Sequence, residues 1–141
     1  MEVSFHNEII INNSVNRIYE YLRKMENFSN WNYAVMNVEP IGDYKERNTY
    51  RLKRDLGQSV EVETVTLLEL QHNQYLHFEA TGGRFPYEAK YELKQVGNRT
   101  LLNNIVNMKP TGLNSFLLKL FKSNIQAEVK KNLTVLKNIL E

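Results

Sequence analysis

More than any other stretch, the run from Thr111 to Glu141 limits what this chain can fold into. Its apolar residues are Leu113, Leu117, Leu120/Phe121, Ile125, Val129, Leu133, Leu136 and Leu140. Steps of three and four place them on one face of a helix. Thr111, directly after Pro110, is the expected N-cap. At about 1.5 Å of rise per residue the rod is roughly 45 Å long. Its stripe must be covered, so the rest of the chain has to supply a broad apolar surface.

The preceding residues read as a sheet with two small helices near its start. Val3, Phe5, Ile9 and Ile11 alternate along a first strand, with Asn7 as the exception. Asn12-Asn13-Ser14 breaks that strand and caps a helix carrying Val15, Ile18, Tyr19 and Leu22 at helical spacing. A second short turn or helix follows from Glu26 to Asn30, and Trp31 reads as a core plug against the sheet.

From Tyr33 on, turn signals at Gly42-Asp43, Leu56-Gly57, Gly82-Gly83 and Gly97-Asn98 separate about six strands that end near Met108. The clearest strand alternates Phe85, Tyr87, Ala89, Tyr91 and Leu93 against Pro86, Glu88, Lys90, Glu92 and Lys94. It is half-buried and antiparallel. Between Ser59 and Leu70 the parity slips, with Val60 and Val62 on one face and Val65 and Leu67 on the other. This predicts a bulge near Glu63-Thr64.

The expected architecture is α+β: a curved seven-stranded antiparallel sheet, two short helices, and a long C-terminal helix across the concave face. A bent sheet cannot touch a straight rod along its whole length, so a hydrophobic cavity is expected between them. All 141 residues form one domain.

Composition removes several function classes. A formal net charge of +2 gives no reason to expect nucleic acid. The absence of cysteine excludes a thiolate nucleophile, a disulfide framework and a cysteine-based zinc site. The N-terminus lacks the pattern of a signal peptide, and no apolar run reaches the roughly 18 residues of a membrane span. The expectation is a cytoplasmic protein without a cofactor or metal. No nucleophilic triad order, phosphate loop or dinucleotide fingerprint occurs.

The order of these segments resembles a known family. Ile11-Asn12-Asn13-Ser14-Val15 leading to Leu22 is similar to the opening motif of the polyketide cyclase/dehydrase-like branch of the START-like superfamily. Glu26-Asn27-Phe28-Ser29-Asn30-Trp31 resembles its next segment, and Val35 and Val38-Glu39 fall where its second strand carries valines. Leu76-His77-Phe78, Gly82-Gly83, Tyr91-Glu92-Leu93, Asn98-Arg99-Thr100 and Gly112-Leu113 continue the match. Tyr19 stands where a Trp is common, and His72-Asn73 where Pro-Pro is common. The resemblance implies a helix-grip fold with a hydrophobic cavity. It does not imply one activity, because such folds include cyclases and lipid carriers.

The expected cavity wall consists of Tyr50, Leu52 and Arg54, then Phe78, then Tyr87, Ala89, Tyr91, Asn104 and Val106, with Phe116, Leu117 and Leu120 on the helix. Buried tyrosine hydroxyls need partners, which a ligand or water can supply. His6 and His77 fall on the outward parity and His72 in a turn, so no histidine reaches a substrate as general base. Glu61 and Glu63 are expected in solvent, opposite Val60 and Val62. Arg54 is the one inward cation, and either anchors an anionic ligand or pairs with an acid such as Glu61.

The start of the long helix carries more hydrophobes than one stripe can bury, flanked by Lys119 and Lys122. The surplus predicts cavity lining, a weak dimer, or a transient contact with an anionic membrane. The leading expectation is a monomer or weak dimer that binds a small hydrophobic molecule, lipid or polyketide-like. The alternatives are a cyclase/dehydrase-type enzyme and a protein-interaction domain.

Overall fold

A computed structural model describes residues 3–42, 48–83, 85–109 and 114–141. Strand β1 (Val3–Ile11) leads into helix α1 (Val15–Arg23), where Ser14 caps the first turn by accepting a hydrogen bond from the Arg17 N–H at 3.3 Å. One 3-10 turn leads to the short helix α2 (Phe28–Trp31). Six strands follow: β2 (Val35–Pro40), β3 (Thr49–Asp55), β4 (Val60–Gln71), β5 (Tyr75–Thr81), β6 (Tyr87–Val96) and β7 (Arg99–Met108). The chain ends in α3 (Asn114–Leu140). The seven strands form one antiparallel sheet in the order β1-β7-β6-β5-β4-β3-β2. Only β1 leaves its place in sequence order, closing the sheet beside β7. This is a helix-grip fold.

The exception on β1 has a structural role. Asn7 is buried, and its side-chain amide donates to the Gln126 carbonyl at 3.2 Å. The Gln126 amide returns a bond to the His6 carbonyl at 3.0 Å. Lys137 Nζ donates to the Ile10 carbonyl at 2.8 Å, and the Asn12 N–H donates to Glu141 at 2.8 Å. These polar ties fix α3 along β1, at one side of the sheet, and leave it to diverge from the remaining strands.

The phase of α3 differs from the expected one in its first half. Ile125, Val129, Leu133, Leu136 and Leu140 face the core as expected. Before Ile125 the buried residue is Leu118, at 0% exposure, whereas Phe116 is 70%, Leu117 44%, Leu120 62% and Phe121 45% exposed. The reason is geometric. At about 100° per residue, Leu118 lies about 20° around the helix from Ile125, Leu117 about 80° and Leu120 about 140°. Phe116, Leu117 and Leu120 therefore do not line a cavity. The expected cap Thr111 and stripe residue Leu113 lie outside the described residues, as does Asp43 of the first expected turn.

A second correction concerns β4. Its pairing with β3 is continuous from Val60 to Thr66, and sets Glu63 opposite Leu52 and Val65 opposite Tyr50. The register shift falls later, between Leu67 and Glu69 against β5. Inward parity on β4 therefore belongs to Glu61, Glu63 and Val65, while Val60 and Val62 are exposed. Burial of Val65 against Tyr50 and Val38–Leu52 packing determine the register. A shift of one residue would turn every side chain over.

Candidate functional site

Between α3 and the concave sheet lies a pocket of about 330 Å³. Its floor is one cross-strand row: Phe5, Val106, Ala89 and Phe78 are successive partners on β1, β7, β6 and β5. Ala89 is the smallest of the four and makes the depression. Its roof is the face of α3 carrying Ile125, Val129 and Asn132, with Asn124 and Glu128 beside them. Trp31, the single tryptophan, closes one end. It belongs to an aromatic cluster in which Phe28–Trp31 centroids are 4.8 Å apart, Trp31–Tyr91 5.9 Å, and Phe78 and Tyr91 stack at 6.1 Å.

Against these apolar walls stands one polar cluster. Arg54 Nε donates to Glu63 Oε2 at 3.0 Å, and the Tyr87 hydroxyl donates to Glu63 Oε1 at 3.0 Å. Arg54 Nη1 donates to Asn32 Oδ1 at 3.3 Å and to the Tyr33 carbonyl at 2.6 Å. Glu63 is only 4% exposed. A carboxylate so buried is tolerated because it is paired and hydrogen-bonded. The turn after β5 covers it closely: a Cβ at Gly83 would come within 2.9 Å of Glu63 Cγ. The Tyr33 N–H donates to Asn132 Oδ1 at 3.0 Å, so the residue that holds Arg54 also holds α3.

Burial pushes the Tyr87 hydroxyl well above the ordinary tyrosine pKa, and the charge of Glu63 adds to this while Arg54 opposes it. Burial likewise raises Tyr91, against a lowering by Arg54. Both phenols are neutral hydrogen-bond donors at working pH. For Arg54, burial acts downward, but Tyr87 and Glu63 outweigh it and the guanidinium is held above its usual value.

Of the expected wall, Arg54, Phe78, Tyr87, Ala89, Tyr91 and Val106 surround this pocket. Tyr50, Leu52 and Asn104 are buried but do not line it. Asn104 sits behind, between Asn7 and Tyr91 in the next cross-strand row, donating to the Lys90 carbonyl at 3.4 Å. Phe116, Leu117 and Leu120 point to solvent. Glu63 is the residue that sequence reasoning misplaced, and Trp31 is both the expected plug and a pocket wall. No histidine lines the pocket: His77 approaches Glu88 at 3.8 Å on the other sheet face, and His72 meets the Tyr19 ring edge at 5.2 Å.

A sequence profile described as polyketide cyclase / dehydrase and lipid transport matches residues 2–141. The chain belongs to that family. Solved structures with the same fold include a START superfamily protein from Mycobacterium smegmatis, at 14% identity and TM-score 0.77 over 97% of this chain and 96% of that one. The Zhui aromatase/cyclase of a Streptomyces species aligns at 9% identity and TM-score 0.81, covering 99% and 94%. The di-domain aromatase/cyclase StfQ of the steffimycin pathway aligns at 12% identity and TM-score 0.78, covering 99% of this chain and 51% of that one. A search of curated proteins finds no significant match. In this family member, among the described residues, no helix is long and apolar enough to cross a membrane.

Proposed function

We propose that this family member binds a small, largely apolar molecule under α3, with one polar group of the ligand turned toward Arg54 and Tyr91. The observation that carries this reading is the make-up of the pocket: an apolar floor of Phe5, Val106, Ala89 and Phe78, Ile125 and Val129 above it, and a few polar side chains among which Arg54, Glu63 and Tyr87 are fixed by hydrogen bonds. Sites of this composition hold ligands by buried area and orient them by a few fixed hydrogen bonds. Both oxygens of Glu63 are engaged, one with Arg54 and one with Tyr87, which favours a structural role for it over proton abstraction.

Trp31 supplies the test, because it is the single tryptophan and lines the pocket. Titration with the uncharged dye Nile red should change Trp31 emission to a one-to-one endpoint. Ala89→Phe fills the floor without adding a second tryptophan and should abolish the response with native-like melting. Normal binding by that variant would reject the site.

A cyclase-type enzyme is the second reading, favoured by the buried Trp31 Nε1, a donor without a partner on the pocket wall, and by the neighbouring Tyr91 hydroxyl, which could stabilise an enolate. Turnover of a poly-ketone substrate that falls at least about tenfold in Tyr91→Phe would support it. The exposed Phe116 and Leu120, flanked by Lys119 and Lys122, support a transient contact with an anionic membrane surface. Co-sedimentation with phosphatidylserine vesicles tests that contact, against a weak dimer revealed by concentration-dependent elution.

A further inference from the structure

We propose that Glu63 makes this pocket select neutral, oxygen-accepting ligands and turn carboxylates away. This rests on the binding function proposed above and specifies its ligand. Among the described residues the charged lining groups are Arg54, Glu61, Glu63 and Glu128, and the cation is the partner of Glu63. The cation is already committed, with Nε on Glu63 and Nη1 on Asn32 and Tyr33. An incoming carboxylate would therefore be stripped of water without gaining a free countercharge.

The hydrogen-bonding inventory gives the complementary result. Each oxygen of Glu63 already holds a donor. Donors without partners adjoin it. Trp31 Nε1 is buried without a partner. Among the described residues the buried Tyr91 hydroxyl has no hydrogen-bond partner, while Arg54 is engaged with Glu63, Asn32, Tyr33 and Tyr87. Tyr91 and Trp31 belong to the same wall, their rings 5.9 Å apart. A ketone or ester oxygen satisfies such donors and brings no charge. An amine adds more donors, and a carboxylate finds the Arg54 guanidinium already paired with Glu63.

The test uses two probes of matched shape, methyl naphthyl ketone and naphthoate, titrated at neutral pH with Trp31 emission and calorimetry as readouts. The ketone should bind at least about tenfold more tightly than the acid. In Glu63→Gln the guanidinium loses its internal countercharge, and naphthoate should gain about tenfold or more while the ketone changes by less than about threefold. Naphthoate should also raise the melting temperature of Glu63→Gln more than that of the unmodified protein. The double variant Arg54→Met/Glu63→Gln carries neither charge and should again exclude naphthoate. If Glu63→Gln does not fold, the ratio in the unmodified protein and the double variant decide. Equal binding of ketone and acid, no binding of either, or a Glu63→Gln variant with unchanged preference would overturn the selection by Glu63. Nile red separates the two levels: if it binds while the ketone shows no preference, only the selection fails. If it too leaves Trp31 unchanged, the binding function fails.

Discussion

Replacing Arg54 by methionine removes the countercharge of a buried carboxylate and keeps most of the aliphatic volume. In the native pair the Arg54 side chain is 16% exposed and that of Glu63 6%, with 3.0 Å between Nε and Oε2. Removing one partner of a buried pair costs roughly 3–5 kcal/mol, because the other is left uncompensated. Glu63 retains the Tyr87 hydroxyl, and Arg54 is slightly open to water, so the lower end applies, about 3 kcal/mol. For a domain of 141 residues this corresponds to a melting temperature lower by roughly 10 °C. Glu63→Gln alone should cost about 2 kcal/mol, since the amide still accepts from Tyr87. The double variant should recover to within about 1 kcal/mol of the native protein, since pairs replaced together are often neutral. Urea unfolding of all four proteins completes the cycle, with an expected coupling of at least about 2 kcal/mol. Additive losses would show that Arg54 and Glu63 are not partners, and would remove the basis for charge selection in the pocket.

Other consequences are open to simpler checks. Leu118→Lys should unfold the protein or cost more than about 4 kcal/mol, while Leu120→Lys should stay within about 0.5 kcal/mol on thermal melting, because only the first buries a charge. Gly83→Ala should cost about 1–2 kcal/mol in urea through the collision with Glu63, and less in a Glu63→Ala background. Stability should fall above about pH 10: tyrosines in the unfolded chain release protons there, while the raised folded-state values of Tyr87 and Tyr91 keep them bound. Urea midpoints between about pH 9 and about pH 11 should show this, with a shallower fall in Tyr91→Phe.

The fold was legible because its elements carry strong periodic signals: alternation through Phe5 and Tyr87–Leu93, and the Ile125–Leu140 stripe of α3. The start of α3 was misread because hydrophobes stand there at nearly every position, so several phases fit. Projecting the unambiguous Ile125–Leu140 face backward at the helical angle selects Leu118 alone. Glu63 was misplaced for a related reason. Val60 and Val62 look like core residues, and an alternating strand read in isolation assigns the acids to water. The turn at Leu56–Ser59 held the missing signal. The Leu56 N–H bonds the Ser59 carbonyl at 2.9 Å, and this hairpin sets Arg54 opposite Glu61 and Leu52 opposite Glu63. Once Tyr50, Leu52 and Arg54 face inward, their partners on β4 must as well. The pair Arg54–Glu63 is a diagonal neighbour across that ladder, within reach of long side chains. The spread of pocket residues over β1, β3 to β7, α2 and α3 was not legible, because it depends on how α3 lies along β1, where Asn7 bonds the Gln126 carbonyl and the Gln126 amide bonds the His6 carbonyl.

The most direct measurement is a crystal structure of the protein with methyl naphthyl ketone. The ring system should lie over Ala89, between Phe78 and Val106 and beneath Ile125 and Val129, with the ketone oxygen within hydrogen-bond distance of the Tyr91 hydroxyl or Trp31 Nε1. Arg54 and Glu63 should remain paired. Density for the ketone only at the exposed start of α3, or a bound ketone with its oxygen turned away from these donors, would contradict a pocket that binds and orients neutral ligands.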